Sequence, residues 1–332
     1  MDTPENETSL DLSQLESVAD AFDADVAATS EIDQFCSSSF WTLPAALELM
    51  PVRMPAIMRG PDGWLAFMRG EHPGSGRYIE PLESSWGLAC PLIGRDPCTL
   101  VKWFADVLQR SRTSWDLGLI AGVPSGSQLL TNIAQIVGQR FRVLRHAQSG
   151  RHLASLAGGI DGFLSRRTAN FRRSLNRAKA TAAKMQITFT HHQPRDVDVA
   201  LALFARVQAV EQTSWKGIDD VGIARGAFGA FYRNMVPRLT RRGALHVLFA
   251  QHGGQDVAFM IGGLFGDTFR GLQASFREQH RAWSLGNLCQ MGMIERLPSH
   301  VQFYDLGSTG LPYKGRWAER TVTSEVLVVL SA

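Results

Sequence analysis

The chain has 332 residues, more than one hydrophobic core usually fills, and its 45% apolar content is enough for two. No apolar run approaches the roughly 20 residues of a membrane span, and the first residues are acidic rather than basic and apolar, so a soluble protein without a secretory signal is expected. The net charge of +3 hides an uneven distribution: residues 1–34 hold ten acids and no Lys or Arg, which leaves 34 basic residues against 21 acids in the rest. A basic body favours anionic partners such as coenzyme A, nucleotides, nucleic acid or lipid headgroups. The four cysteines, Cys36, Cys90, Cys98 and Cys289, lack metal-ligand spacing and read as reduced thiols of a cytoplasmic protein, with no metal site.

The acidic leader, residues 1–34, reads as disordered or weakly helical. From residue 40 short strands alternate with helices. Residues 55–59 and 63–69 flank a Pro-Asp-Gly turn, strands follow at 77–82 and 87–92, and a helix at 97–110 leads to a strand at 115–121. A helix at 127–138 and a strand at 140–145 come next, and the Gly-rich stretch 149–162 is the expected boundary between a first domain at 35–150 and a second at 160–332.

In the second half, Leu164, Thr168, Phe171, Leu175, Ala178, Ala182 and Met185 recur at spacings of four and three, which predicts one long helix with a single inward stripe. Arg166, Arg173, Arg177 and Lys184 fall on its other side, and no acid occurs between Asp161 and Asp196. This face suits contact with an anionic substrate, with Arg173 and Arg177 as binding residues. A helix at 196–210 carries Val197, Leu201, Phe204 and Val207 inward and brings Glu211 onto the same stripe, where desolvation favours a general base. Trp215 follows in a loop suited to a pocket rim.

An amphipathic helix around Phe228 to Leu239 precedes a meander of strands at 244–251, 255–265 and 268–276. The loop 277–283 then leads into a helix from Leu285 capped by Ser284, so that the N–H groups of Leu285, Gly286 and Asn287, the Ser284 hydroxyl and Arg281 can face an anion such as a coenzyme pyrophosphate. The strand 301–306 ends in Tyr304 and Asp305, and a Gly-punctuated loop carries Tyr313, Lys314 and Trp317. A carboxylate closing a strand beside aromatic and cationic side chains builds a site more readily than a core.

Taken in order, Ser165-Arg166-Arg167 running to Arg177, Glu211 to Trp215, Ser284-Leu285-Gly286-Asn287-Leu288, and Tyr304-Asp305-Leu306-Gly307 with Tyr313, Lys314 and Trp317 resemble the GNAT superfamily of acyltransferases. The likeness is to the CelD-type acetyltransferase domain related to Fem peptidyltransferases. Leu285 stands where that family often has Pro. The resemblance implies a mixed-sheet α/β (α+β) fold, GNAT-like, with residues 35–150 as a degenerate tandem copy. It implies transfer of an acyl group from acetyl-CoA or another acyl-CoA to an amine or hydroxyl of a small, amino-sugar or polysaccharide-precursor acceptor. A Fem-like enzyme using aminoacyl-tRNA and a catalytically degenerate binding protein are the alternatives. Within that chemistry Glu211 or Asp305 accepts the acceptor's proton, Tyr304 or Tyr313 donates to the leaving thiolate, and Lys314 and Trp317 contact the acceptor, with pairing to Asp305 as the other role open to Lys314.

Overall fold

A computed structural model describes residues 7–74, 76–310 and 312–331. Its strands are β1 (Thr8–Leu10), β2 (Met54–Gly60), β3 (Gly63–His72), β4 (Gly76–Pro81), β5 (Leu92–Ile93), β6 (Leu117–Pro124), β7 (Arg142–Ser155), β8 (Thr188–His192), β9 (Leu245–His252), β10 (Gln255–Phe265), β11 (Thr268–Phe276), β12 (Phe303–Ser308) and β13 (Arg320–Leu330). The chain divides into two compact units. Unit 1 runs to Gly150 and takes back the segment from Val322, while unit 2 is Arg151–Thr321. The division thus falls within the stretch 149–162, but in its extended part, inside β7, because a strand tolerates a lone glycine and the positive-φ turn comes later, at Gly158 and Gly159.

Unit 1 orders its strands β1-β2-β3-β4-β6-β13, with β5 beside β3. Every pair is antiparallel except β4 with β6. The β2–β3 turn needs glycine at Gly63, where φ is +136° and a Cβ would lie 1.9 Å from the Ile93 carbonyl oxygen. The helix Pro97–Arg110 starts with Pro in its first turn and the Asp96 side chain accepting from Cys98 N–H, and it buries Leu100, Phe104 and Leu108. Phe104 stacks on Phe67 of β3 at 5.5 Å.

The acidic leader differs from the sequence expectation. Asp2 and Glu5 lie outside the described residues, but the helices Leu12–Ser17 and Ala19–Ala28 bury Leu15, Phe22 and Val26. Its acids are structural: Asp11 and Asp33 cap helices, Asp23 accepts from both Ser39 N–H and Oγ, Asp25 from Trp64 Nε1 at 2.8 Å, and Glu7 from Trp103 Nε1 and Arg110. Composition reads charge density, whereas caps and indole partners satisfy those charges one by one.

Unit 2 orders its strands β7-β12-β11-β10-β9-β8. β9, β10 and β11 form an antiparallel meander, and β12 joins β11 in parallel through the helix Leu285–Ile294. Along β9, Leu248 and Ala250 enter a cluster with Leu175, Ala178, Leu288 and Trp317, while Phe249 takes the Arg206 guanidinium of the helix Val197–Glu211 over its ring at 4.2 Å. Helices therefore cover both sides of this sheet. The long basic helix expected from 164 is two helices, Gly159–Ser165 and Ala169–Lys184. Thr168 breaks it by capping Phe171 N–H, and Arg167 turns inward over the Phe163 ring instead of joining the basic face.

Candidate active site

β11 and β12 pair over three residues only, Thr268↔Phe303, Phe269↔Tyr304 and Arg270↔Asp305. β11 continues to Phe276 and β12 to Ser308, but the ladder does not. A cavity of about 100 Å³ opens there, lined by Gly271, Gln273 and Ala274 of β11, Tyr304 and Leu306 of β12, Gln290, Lys216, Tyr313 and Lys314. Parting strands expose main-chain groups and give side chains from several elements a common point of approach.

Tyr304 is buried, and its hydroxyl donates to Gln290 Oε1 at 2.9 Å; desolvation raises its pKa well above the usual phenol range. Tyr313 stands at the rim, with its ring partly exposed and its pKa raised by desolvation. Lys314 Nζ donates to Ser308 O at 3.0 Å, and burial together with the Arg270 charge lowers its pKa to about 8. Lys216 Nζ donates to Gln273 Oε1 at 2.8 Å and to Ala274 O at 3.1 Å, and desolvation lowers its pKa while Glu211 opposes that shift.

Glu211 is the last residue of its helix and is fully buried. Oε2 accepts from Ser214 Oγ at 3.2 Å, Oε1 lies 3.9 Å from Lys216 Nζ without a hydrogen bond, and a Cβ on Gly222 would come within 2.7 Å of Oε1. The carboxylate sits behind Lys216 and does not line the cavity. Asp305 is also fully buried, held by Arg151 and by Arg270 Nη2 at 3.0 Å, and it accepts from Gly307 N–H at 2.8 Å. Those two arginines, and not Lys314, are its ion-pair partners, because the β11–β12 register sets Arg270 directly opposite it. Trp215 is 37% exposed at the start of the short helix Trp215–Ile218, outside the cavity lining.

A larger cavity, about 760 Å³, shares Tyr313 with the first and is lined by Arg166, Arg167, Thr168, Asn170, Asn287 and Arg316 among others. Glu319, its one acidic lining residue, accepts from Arg166 Nε at 2.8 Å and from Arg167. Trp317 is a buried floor residue between Phe163 and Phe171, and its Nε1 donates to Asn287 Oδ1 at 3.3 Å. Arg173, bonded to Asn170, and Arg177 are exposed on the outer face of their helix and do not line this cavity.

Of the residues expected to face a coenzyme, Leu285, Gly286 and Asn287 form the first turn of their helix, and Gly286 lies against the Phe276 ring. Ser284 is no cap: its backbone is left-handed (φ 54°) and its side chain makes no capping bond, which leaves the first N–H groups without a side-chain acceptor. Arg281 is exposed and paired with Glu278 at 2.6 Å. Among the described residues no group of three His, Cys, Asp or Glu side chains is arranged to hold a metal ion, and no helix is long and apolar enough to cross a membrane.

Sequence reasoning missed Lys216, Gln273, Gln290, Arg270 and Arg151. One signal was available: Asn287 and Gln290 are the only amide side chains on an otherwise apolar helix and stand three apart, so both address the same side of it. Lys216 had no such signal, because its place depends on how the chain folds back after Ser214.

Residues 165–315 match the family model described as an acetyltransferase (GNAT) domain. No curated protein matches the chain. Among solved structures, the crystal structure of FemX superposes with a TM-score of 0.63 at 11% identity, over 96% of this chain and 96% of that one. A conserved protein of unknown function from Bacteroides thetaiotaomicron gives 0.62 at 12% identity, over 98% and 99%. The C-terminal domain of a candidate lysylphosphatidylglycerol synthetase from Agrobacterium fabrum gives 0.56 at 13% identity, over 92% and 91%. At these identities the likeness is one of fold, and it agrees with the mixed α/β fold expected.

Proposed function

We propose that this chain, whose residues 165–315 match a GNAT acetyltransferase domain, moves an acyl group from acyl-CoA to the amine or hydroxyl of a small or sugar-like acceptor. The observation that carries the reading is the parting of β11 and β12 over a polar cavity, beside a helix whose first N–H groups have no side-chain cap. The donor's pyrophosphate takes the first turn at Leu285–Asn287 and the basic larger cavity, where helix N–H groups and Arg166, Arg167 and Arg316 favour an anion. Its thioester then reaches past Tyr313 to the smaller cavity. The acceptor attacks the thioester carbon, the C–S bond breaks, and Tyr313 is placed to protonate the sulfur, since the Tyr304 hydroxyl is committed to Gln290.

Calorimetry with acetyl-CoA and longer acyl-CoAs tests the donor. Gly286→Glu puts a negative charge at the helix start while its Cβ meets only the Phe276 ring at 3.6 Å, so a folded variant should bind CoA at least tenfold more weakly. Unchanged affinity would place the donor elsewhere. A Fem-like reading, with aminoacyl-tRNA as donor, draws on the exposed basic face that includes Arg173 and Arg177. Reversing both to Glu should leave CoA binding within about twofold; loss of salt-sensitive tRNA binding in that variant, with no CoA binding by the wild type, would put the second reading first.

A further inference from the structure

We propose that Lys216 stabilises the oxyanion formed when the acceptor attacks the donor's carbonyl carbon, and that Glu211 is its buried counter-charge rather than the base. This rests on the acyl-transfer reading above. Lys216 Nζ is fixed by Gln273 Oε1 at 2.8 Å and Ala274 O at 3.1 Å, both on the stretch of β11 that has parted from β12. An ammonium has three N–H donors. Gln273 and Ala274 take two of them, Glu211 Oε1 at 3.9 Å is too far for a hydrogen bond, and Lys216 lines the cavity where a thioester would enter. A preorganised donor in a water-poor site acts on charge that develops only in the transition state.

Glu211 has the opposite placement. It is sealed by Ser214 and Gly222, is absent from the cavity lining, and can influence reacting atoms only through the ammonium 3.9 Å from its Oε1. Lys314 faces the same space, but a single bond to Ser308 O fixes its Nζ less firmly than the two acceptors on β11 fix Lys216. The titratable groups round Lys216 are Glu211 on its own segment, Tyr304 on β12, and Tyr313 and Lys314 on the following loop. Desolvation works against its charge and Glu211 supports it, which is what a counter-charge does.

In the step itself the acceptor's lone pair forms the new bond to the carbonyl carbon, and the π electrons move to the oxygen facing Lys216. Collapse returns them and breaks the C–S bond. The thiolate takes a proton from Tyr313, which the acceptor's own proton replaces through water, so the net transfer is acyl to acceptor and proton to sulfur.

The test measures thiol release from acetyl-CoA with glucosamine and a panel of other primary amines, after calorimetry has established acetyl-CoA binding by the wild type. Lys216→Gln and Lys216→Met, each assayed per folded molecule because it leaves buried Glu211 without its counter-charge, should lower kcat by about 10²- to 10³-fold while CoA affinity holds. Glu211→Gln should keep the acidic limb of the kcat profile and move its basic limb to lower pH, because Lys216 then loses its proton sooner. Undiminished kcat in both Lys216 variants overturns the proposal, as does a Glu211→Gln profile that loses its acidic limb with the basic limb unmoved. A wild type that neither binds acetyl-CoA nor releases thiol overturns the acyl-CoA reading before any variant is made, and the proposal with it.

Discussion

In both units a parallel strand pair comes apart after a few residues. β4 and β6 pair at Tyr78↔Leu117 and Ile79↔Gly118, and β11 and β12 from Thr268↔Phe303 to Arg270↔Asp305. In unit 1 the gap is filled by the chain itself. Leu82, Leu88, Ala89 and Cys90 are buried, Gly122 N–H donates to Gly87 O, and Glu83, its pKa raised by burial, accepts from Trp86 N–H at 2.6 Å. In unit 2 the gap stays open and is lined by lysines, glutamines and tyrosines. A parted strand pair is thus a place for a site and not a site in itself; what the next segment does with the exposed edge decides which it becomes.

The largest effect should come from Asp305→Asn, which removes the buried carboxylate that Arg151 and Arg270 share and should cost about 3–5 kcal/mol in urea unfolding. A loss under 1 kcal/mol would mean the arginines have another counter-charge. Leu88→Ala removes part of the plug in unit 1 and should cost about 2–5 kcal/mol, with kcat per folded molecule unchanged. A fall in kcat there would break the contrast between a filled and a working gap. Gly122→Ala pushes a Cβ to 2.5 Å from the Leu88 carbonyl oxygen at a positive φ and should cost about 1–3 kcal/mol.

A smaller effect concerns pH. The Lys314 ammonium is lost as pH rises through about 8, so the KM for an acidic acceptor should climb above that pH in the wild type. Lys314→Met should remove this climb and weaken acceptor binding by up to about tenfold, ~1.4 kcal/mol, at pH 7. A KM that still climbs in the variant would assign the titration to another group.

Much of unit 2 was legible because its signals are local. The meander follows from tight turns at Gly253, Gly254 and Gly266, and the helix from Val197 follows from its apolar stripe. The inward position of Glu211 came from the same periodicity. Local signals failed where a residue's partner is distant in sequence. Ser284 resembles a cap, yet the turn out of residues 278–283 sets it left-handed. The acids of the leader resemble a solubilising tail, yet Asp25 and Glu7 meet Trp64 and Trp103 across 39 and 96 residues.

The sequence by itself determined the meander of unit 2, the basic body, and a strand carrying Tyr304 and Asp305, since periodicity, charge and turn residues are written in neighbouring positions. Tertiary structure alone decided that Asp305 is spent on Arg151 and Arg270, that Glu211 stands behind Lys216, and that Gln290 meets Tyr304. Each of these is a pairing between side chains on separate elements. The first and last depend on strand register and on where a ladder stops, and the second on how the chain folds back after Ser214.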